Sequence, residues 1–305
     1  MSHRIAGSDP AAHFAAYSFV DRIDDFVAGR RARGSFAIPR DLASFPSCFV
    51  AEAVGQLAAW TAMDRIDFRG RPVAALATET VFHADALPGE TLTLEVDLFE
   101  CDDEAVAYNG HASAGGRKIV ELIDCLGPML PVADFDSPDA MRERLALLRA
   151  GGAPPGRFRG VERFAVNVVH RVPGVELRAT LDVPRAAPFF LDHFPRRPVF
   201  PATLLLDTQL TLALDLAQSA PALRGGHPRP TRVTHVKMRS FIEPGQALDI
   251  GVELAPLAEG AVKALLTART DGRLVASARL EIVGAVPGER RAEAALPQGA
   301  SASAG

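Results

Sequence analysis

The stretch "PFFLDHFPRRPVFPATLLLDTQ", residues 188–209, sets His193 and Asp207 fourteen positions apart, with Pro195, Pro198 and Pro201 between them. Proline fixes its own φ and is tolerated at the start of a helix but not inside one. The pattern therefore predicts a stiff loop that ends at Pro201 and a helix that begins there. The run after the last proline, "ATLLLDTQLTLALDLA", is apolar on nearly every face. A helix of that kind is enclosed by other structure rather than laid on a surface.

The same order of features occurs earlier in the chain. "RARGSFAIPRDLASFPSCFVAEAVGQLAAW", residues 31–60, carries an alternating run, Pro39-Arg40, Phe45-Pro46 and then a long apolar helix with Glu52. "VELRATLDVPRAAPFFLDHFPRRPVFPATLLLDTQLTLALDLA", residues 175–217, repeats it with Pro184-Arg185, Phe200-Pro201 and Asp207. In both, the carboxylate stands six residues after the proline that opens the helix. Downstream, "FHADALPGETLTLEVDLFE" (82–100) and "MRSFIEPGQALDIGVELAP" (238–256) each place a Pro-Gly turn before a period-2 strand. Further strand-like segments follow at 105–127 and 261–284. An internal repeat of this size predicts two tandem units, each a long helix and an antiparallel meander whose apolar face wraps around it.

Around the units, residues 1–16 read as an N-terminal segment, 17–131 as the first unit, 132–159 as a linker and 160–285 as the second unit. In the linker, Ser137 and Pro138 are an N-cap and first helical residue, and Gly151, Gly152 and Pro154-Pro155 end the helix in a flexible connection. "GERRAEAALPQGASASAG" and its surroundings, from Val286 to 305, read as a disordered tail.

Composition excludes several classes. The 33 basic and 37 acidic residues of the 305 are interspersed, with a net charge of −4, so no basic stripe suits nucleic acid. No uncharged apolar stretch approaches the length of a membrane span, and the N-terminus lacks a signal-peptide core, which points to the cytoplasm. Cys48, Cys101 and Cys125 are too scattered to hold a metal. His3, His13, His83, His111, His170, His227 and His235 have no partner at a useful spacing, and Trp60 reads as core.

The run His193, Phe194, Pro195, Pro198, Val199, Pro201, Asp207 resembles the motif of the 3-hydroxyacyl-acyl-carrier-protein dehydratases. "EAVGQLAA", with Glu52 and Gln56, is similar to the Glu-Ala-x-x-Gln run of the same family. The resemblance implies an α+β double hotdog: two antiparallel sheets, each wrapped around a long central helix. It also implies dehydration of a 3-hydroxyacyl thioester to the trans-2-enoyl thioester in fatty acid or polyketide-type synthesis. The substrate would ride on the phosphopantetheine of acyl carrier protein, or on CoA, with no other cofactor and no metal.

Three departures stand out. Ala202 and Arg196 replace family glycines, Thr211 replaces a family glutamine, and the first unit lacks the histidine loop. From Arg40 to Phe45 is five positions, against fifteen from Arg185 to Phe200. In dimers of the family, the histidine of one subunit faces the carboxylate of the other. A chain that mimics such a dimer would pair His193 with Glu52 and leave Asp207 in a vestigial site. The resemblance is compatible with a monomer acting as a pseudo-dimer or with a further homodimer.

Dehydration needs a base near neutrality and a neutral acid. His193 suits the base. Glu52, on an almost wholly apolar helix, suits the acid, because desolvation keeps a carboxyl protonated. Gln56, one turn on, could hold that carboxyl, and the backbone N–H of Ala202 could stabilise an oxyanion. Arg40, Arg196 and Arg197 are candidates for a rim that receives the carrier protein. Asp207 remains open as the acid, as do an added enoyl isomerase activity, a hotdog thioesterase that uses Glu52 to activate water, and a non-catalytic acyl-binding scaffold.

Overall fold

The computed structural model describes Phe14 and residues 16–73, 76–223 and 226–285. The tail expected from Val286 onward and most of the N-terminal segment lie outside them. The elements run β1 (Arg22–Val27), β2 (Arg31–Ala37), α1 (Ser47–Arg65), β3 (Gly70–Pro72), β4 (Leu76–Phe82), β5 (Thr91–Cys101), β6 (Ala105–Ala114) and β7 (Arg117–Pro131). Then come α2 (Pro138–Ala150), β8 (Val166–Val172), β9 (Glu176–Asp182), the short α3 (Phe189–His193) and α4 (Ala202–Ala217). β10 (His227–Met238), β11 (Ala247–Ala258), β12 (Ala261–Thr270) and β13 (Arg273–Ala285) complete the fold.

All the strands but one lie on a single path, β1-β2-β5-β6-β7-β4-β10-β13-β12-β11-β9-β8, with β3 paired to β7 off it. Read outward from the β4/β10 junction, the order is the same on both sides. Each unit is thus a hairpin, a central helix, a joining strand and a three-stranded meander. The hairpin and the joining strand are additions to the helix-plus-meander read from the sequence. β4 and β10 pair antiparallel, Val81 with Arg232 and Ala77 with Val236, so the two units share one sheet.

The repeated motifs occupy equivalent places. Gly89 and Gly245 have φ of +88° and +83°, which L side chains rarely adopt, and a Cβ on either would meet the stem of Arg40 or Arg185. Each Pro-Arg therefore packs on the Pro-Gly turn of its own unit. α1 and α4 both open on a proline without a side-chain cap. The Pro46 carbonyl takes the amides of Phe49 and Val50, and the Pro201 carbonyl those of Leu204 and Leu205. Ala202 and Arg196 are not among the residues with positive φ, so their lack of glycine costs no backbone strain.

The connection between the units is packed rather than loose. Ser137 accepts the Ala140 amide at 3.4 Å as the cap of α2, whose Met141, Leu145 and Leu148 are buried. Asp136 and Arg144 form a buried ion pair at 2.7 Å. Beyond the helix, the expected flexible stretch puts Phe158 into an aromatic cluster, 5.0 Å from Phe19 and 6.0 Å from Phe45 between ring centroids.

α1 presses closely on β6. A Cβ at Gly110 would lie 2.5 Å from Val54 Cγ1 and 2.9 Å from the Glu95 carbonyl oxygen. Gly110→Ala should therefore lower stability by about 1–3 kcal/mol, seen as a lower urea midpoint with an unchanged slope.

Candidate active site

His193 is the last residue of α3, and the loop after it is tied to the linker. The Arg196 amide donates to the Phe135 carbonyl at 2.9 Å, and the Arg196 guanidinium donates to the Ala133 carbonyl at 3.0 Å. Arg197 stacks over Phe135 and Phe241. Both arginines are exposed yet have structural contacts, and Arg40 serves the Pro88-Gly89 turn of the other unit. The imidazole packs against Phe194 at 4.1 Å and edge-on against Tyr17 at 5.6 Å. Its Nδ1 is buried with no hydrogen-bond partner. Burial first, then the charge of Arg71, pushes its pKa down to about 3 against the pull of a hydrogen bond to the Val199 backbone. The ring is thus held in its neutral form, as a weaker base than an ordinary imidazole.

Glu52 lies on α1, from the other unit. Thr203 Oγ1, in the first turn of α4, donates to Glu52 Oε2 at 2.8 Å, and Gln56 Nε2 donates to Oε1 at 3.1 Å. Each donor lowers the carboxyl pKa, as does the charge of Arg71, but desolvation outweighs them and raises it. The pair Glu52 and Gln56 is thus held as one turn of helix would hold it.

Between His193 and Glu52 stands Tyr17, which no motif singles out. Its phenol shares a hydrogen bond with Thr203 Oγ1, so Tyr17, Thr203 and Glu52 form a chain that ends beside the imidazole. Two groups fix the tyrosine in place. Asp192 Oδ2 accepts the amides of Ala16 and Tyr17 at 2.7 and 2.9 Å. Gln56 donates to the Tyr17 carbonyl at 3.0 Å and accepts the Phe19 amide at 2.8 Å. A small, solvent-open pocket adjoins these groups. His193, Tyr17, Gln56, Arg71 and Trp60 are on its wall, so the tryptophan read as core faces a cavity on one side.

Asp207 occupies the equivalent place in the other direction. Its charge acts on Cys48, which stands in the first turn of α1 as Thr203 does in α4, and Arg163 acts on it in turn. Burial pushes its carboxyl up to about 6. Among the described residues no interaction joins it to a histidine. His83, His111 and His170 each sit near a strand glutamate, Glu121, Glu95 and Glu176. The described residues contain no cluster of His, Cys, Asp and Glu that could hold a metal, and no helix long and apolar enough to cross a membrane.

Comparison with known proteins bears on this arrangement. The ApeI-like family of ApeI dehydratases matches residues 170–278. A 3-hydroxyacyl-acyl-carrier-protein dehydratase FabZ from Thioalkalivibrio sulfidiphilus is 31% identical over 132 residues, which is 40% of this chain and 89% of the relative. The chain belongs to the 3-hydroxyacyl-acyl-carrier-protein dehydratase family. The FabZ of Dechloromonas aromatica is also 31% identical over 132 residues, covering 87% of that protein. These family members have about the length of one unit, whereas the present chain has two.

Solved structures match both units and show the fold. An oleoyl thioesterase structure from Lactobacillus plantarum superposes with a TM-score of 0.55 at 9% identity, over 85% of this chain and 96% of that one. A tesB protein from Mycobacterium avium subspecies paratuberculosis gives 0.53 at 13% identity, over 86% and 95%. A hot dog fold protein from Alicyclobacillus acidocaldarius gives 0.50 at 13% identity, over 90% and 98%. The architecture is a double hotdog.

Asp192 makes the hold on Tyr17 testable. Burial raises its pKa to about 6, against the two amides, Arg144 and Ser18. A raised carboxyl favours the fold below its unfolded pKa of 3.8, and that advantage is lost as pH rises through 6. Asp192→Asn does not titrate, so its stability relative to the parent should rise between pH 4 and 7, by on the order of 2 kcal/mol. Asp21 and Asp207 titrate in the same range but cancel in this difference. Thermal unfolding of both proteins across the range measures it, and a constant offset would contradict it.

Proposed function

We propose that this chain removes water from a 3-hydroxyacyl thioester to give the trans-2-enoyl thioester, in the cytoplasm, on acyl carrier protein or CoA. The observation that carries this reading is the neutral, partner-free Nδ1 of His193 beside a hydrogen-bonded chain that leads to a desolvated carboxyl from the other unit. His193 takes the α-proton. Glu52 supplies a proton to the departing hydroxyl by reversing the two hydroxyl bonds through Thr203 and Tyr17. Gln56 orients the carboxyl. The N–H of Ala202, the first residue of α4, has no partner within the helix and can donate to the thioester oxygen. Asp207 is the remnant of a second site that lost its histidine loop, and Arg196, Arg197 and Arg40 offer positive charge to a carrier protein.

The thioesterase reading requires Glu52 to take a proton from water. Desolvation of Glu52 disfavours the ionised form that such a base requires, and His193 would have no task. This favours the dehydratase. Free acid and thiol among the products would reverse the choice.

Hydration of a short 2-enoyl thioester, the reaction run backwards, is a direct assay. His193→Ala and Glu52→Gln should each lower the rate by about 10²–10⁴-fold, and Asp207→Asn should leave it nearly unchanged. Tyr17→Phe should also slow it, because the relay is cut. Activity lost with Asp207→Asn but kept with Glu52→Gln would contradict the assignment. The pH profile should show an alkaline limb only, as Glu52 ionises, because His193 gains its proton near pH 3, below the assay range.

A further inference from the structure

The wall of the pocket beside His193 includes two arginines. Arg144 contacts a counter-charge, Asp136, at 2.7 Å, and also touches Met141 Sδ at 3.4 Å. Arg71, from β3, has its guanidinium carbon 4.3 Å from the ring centroid of Phe194. Among the described residues no hydrogen bond or ion pair engages its side chain. Phe194 is itself fixed, 4.8 Å from Phe135 and packed with Val73 and Val199. The cation is therefore stacked on the residue next to the proposed base.

A guanidinium offers five N–H donors and loses solvation when enclosed, so an enclosed one without acceptors favours a ligand that brings oxygen to it. Burial lowers the Arg71 pKa only to about 10, and the group stays charged at neutral pH. Its field acts on both His193 and Glu52. In the proposed dehydration, the atom that gains negative charge beside His193 is the oxygen bonded one carbon away from the proton that leaves.

We infer that Arg71 joins the Ala202 N–H in binding the thioester carbonyl oxygen of the acyl substrate and supplies the positive charge that offsets the charge developing on it. The inference rests on the dehydratase reading. His193 takes the α-proton, and the electron pair of that C–H bond moves onto the thioester as an enolate held by Arg71. The pair then returns to form the α,β double bond as the C–O bond to the β-hydroxyl breaks. The hydroxide leaves as water with the proton from Glu52, and the proton on His193 afterwards returns to the carboxylate. One water is released and nothing is oxidised.

The test is steady-state hydration of crotonyl-CoA by the full chain carrying Arg71→Gln or Arg71→Lys, with His193→Ala alongside. Arg71→Gln should lower kcat about 100-fold while KM changes less than about threefold. Arg71→Lys, which keeps the charge without the planar fork, should retain an intermediate rate. Arg71 is the charge that acts on His193, and Asp192, Arg144 and the Tyr17 phenol share its pocket. Loss of the arginine should therefore also move the acid limb of kcat/KM upward from about 3, while burial still holds it below the ordinary histidine range, a shift that a merely structural role would not produce. A normal kcat for Arg71→Gln with His193→Ala inactive would overturn the role of Arg71 and leave the site standing. A rise in KM alone would overturn it too. An active His193→Ala would instead overturn the dehydratase reading beneath it.

Discussion

The packing of α1 against α4 is the constraint on which the rest depends. Both helices are apolar on nearly every face, so each must be enclosed, and the two halves of the sheet enclose them while the helices meet at the centre. Each helix opens on a proline without a side-chain cap, so its first turn is free to meet the partner helix. Thr203 in the first turn of α4 reaches Glu52 on α1 across 151 residues of sequence. Cys48 in the first turn of α1 lies near Asp207 on α4. A carboxylate from one unit is thus presented to the helix start of the other, and the desolvation that raises its pKa follows from the same enclosure.

The duplication accounts for the proposal of one composite site and one remnant. A single unit contributes either a loop or a carboxylate to any one site, so two units make two sites by symmetry. In this chain the ten extra residues between Arg185 and Phe200 are present once. Glu52 is therefore linked through Thr203 and Tyr17 to the side of a histidine, and among the described residues no interaction joins Asp207 to one. Phe19, Phe36, Phe45, Phe49 and Phe158 pack together around the start of α1 in edge and stacked contacts.

The repeat was legible in the sequence because its markers are backbone constraints. Proline before a helix, glycine at positive φ and alternation in a strand mean the same thing wherever they occur. Thus Pro46 and Pro201, and Gly89 and Gly245, could be aligned by eye. The joining of the units through β4 and β10 was not legible, because strand pairing across 150 residues depends on edges that only the assembled sheet presents. Tyr17, Asp192 and Arg71 were missed for a related reason. Tyr17 and Arg71 belong to segments with no motif, Asp192 stands beside the motif histidine without a pattern of its own, and each acquires its place through hydrogen bonds or stacking to a residue far away in sequence. Thr203 could have been found, since it aligns with Cys48 and lies four residues before Asp207.

The central claim is that His193 and Glu52, from different units, act on one substrate molecule. A double-mutant cycle in the rate of enoyl thioester hydration tests it most directly, with His193→Ala, Glu52→Gln and the two combined. Residues that act as a unit lose most of their effect with the first substitution. The double variant should therefore be only slightly slower than the slower single variant. Rate losses that multiply in the double variant would show two independent groups and would contradict the composite site.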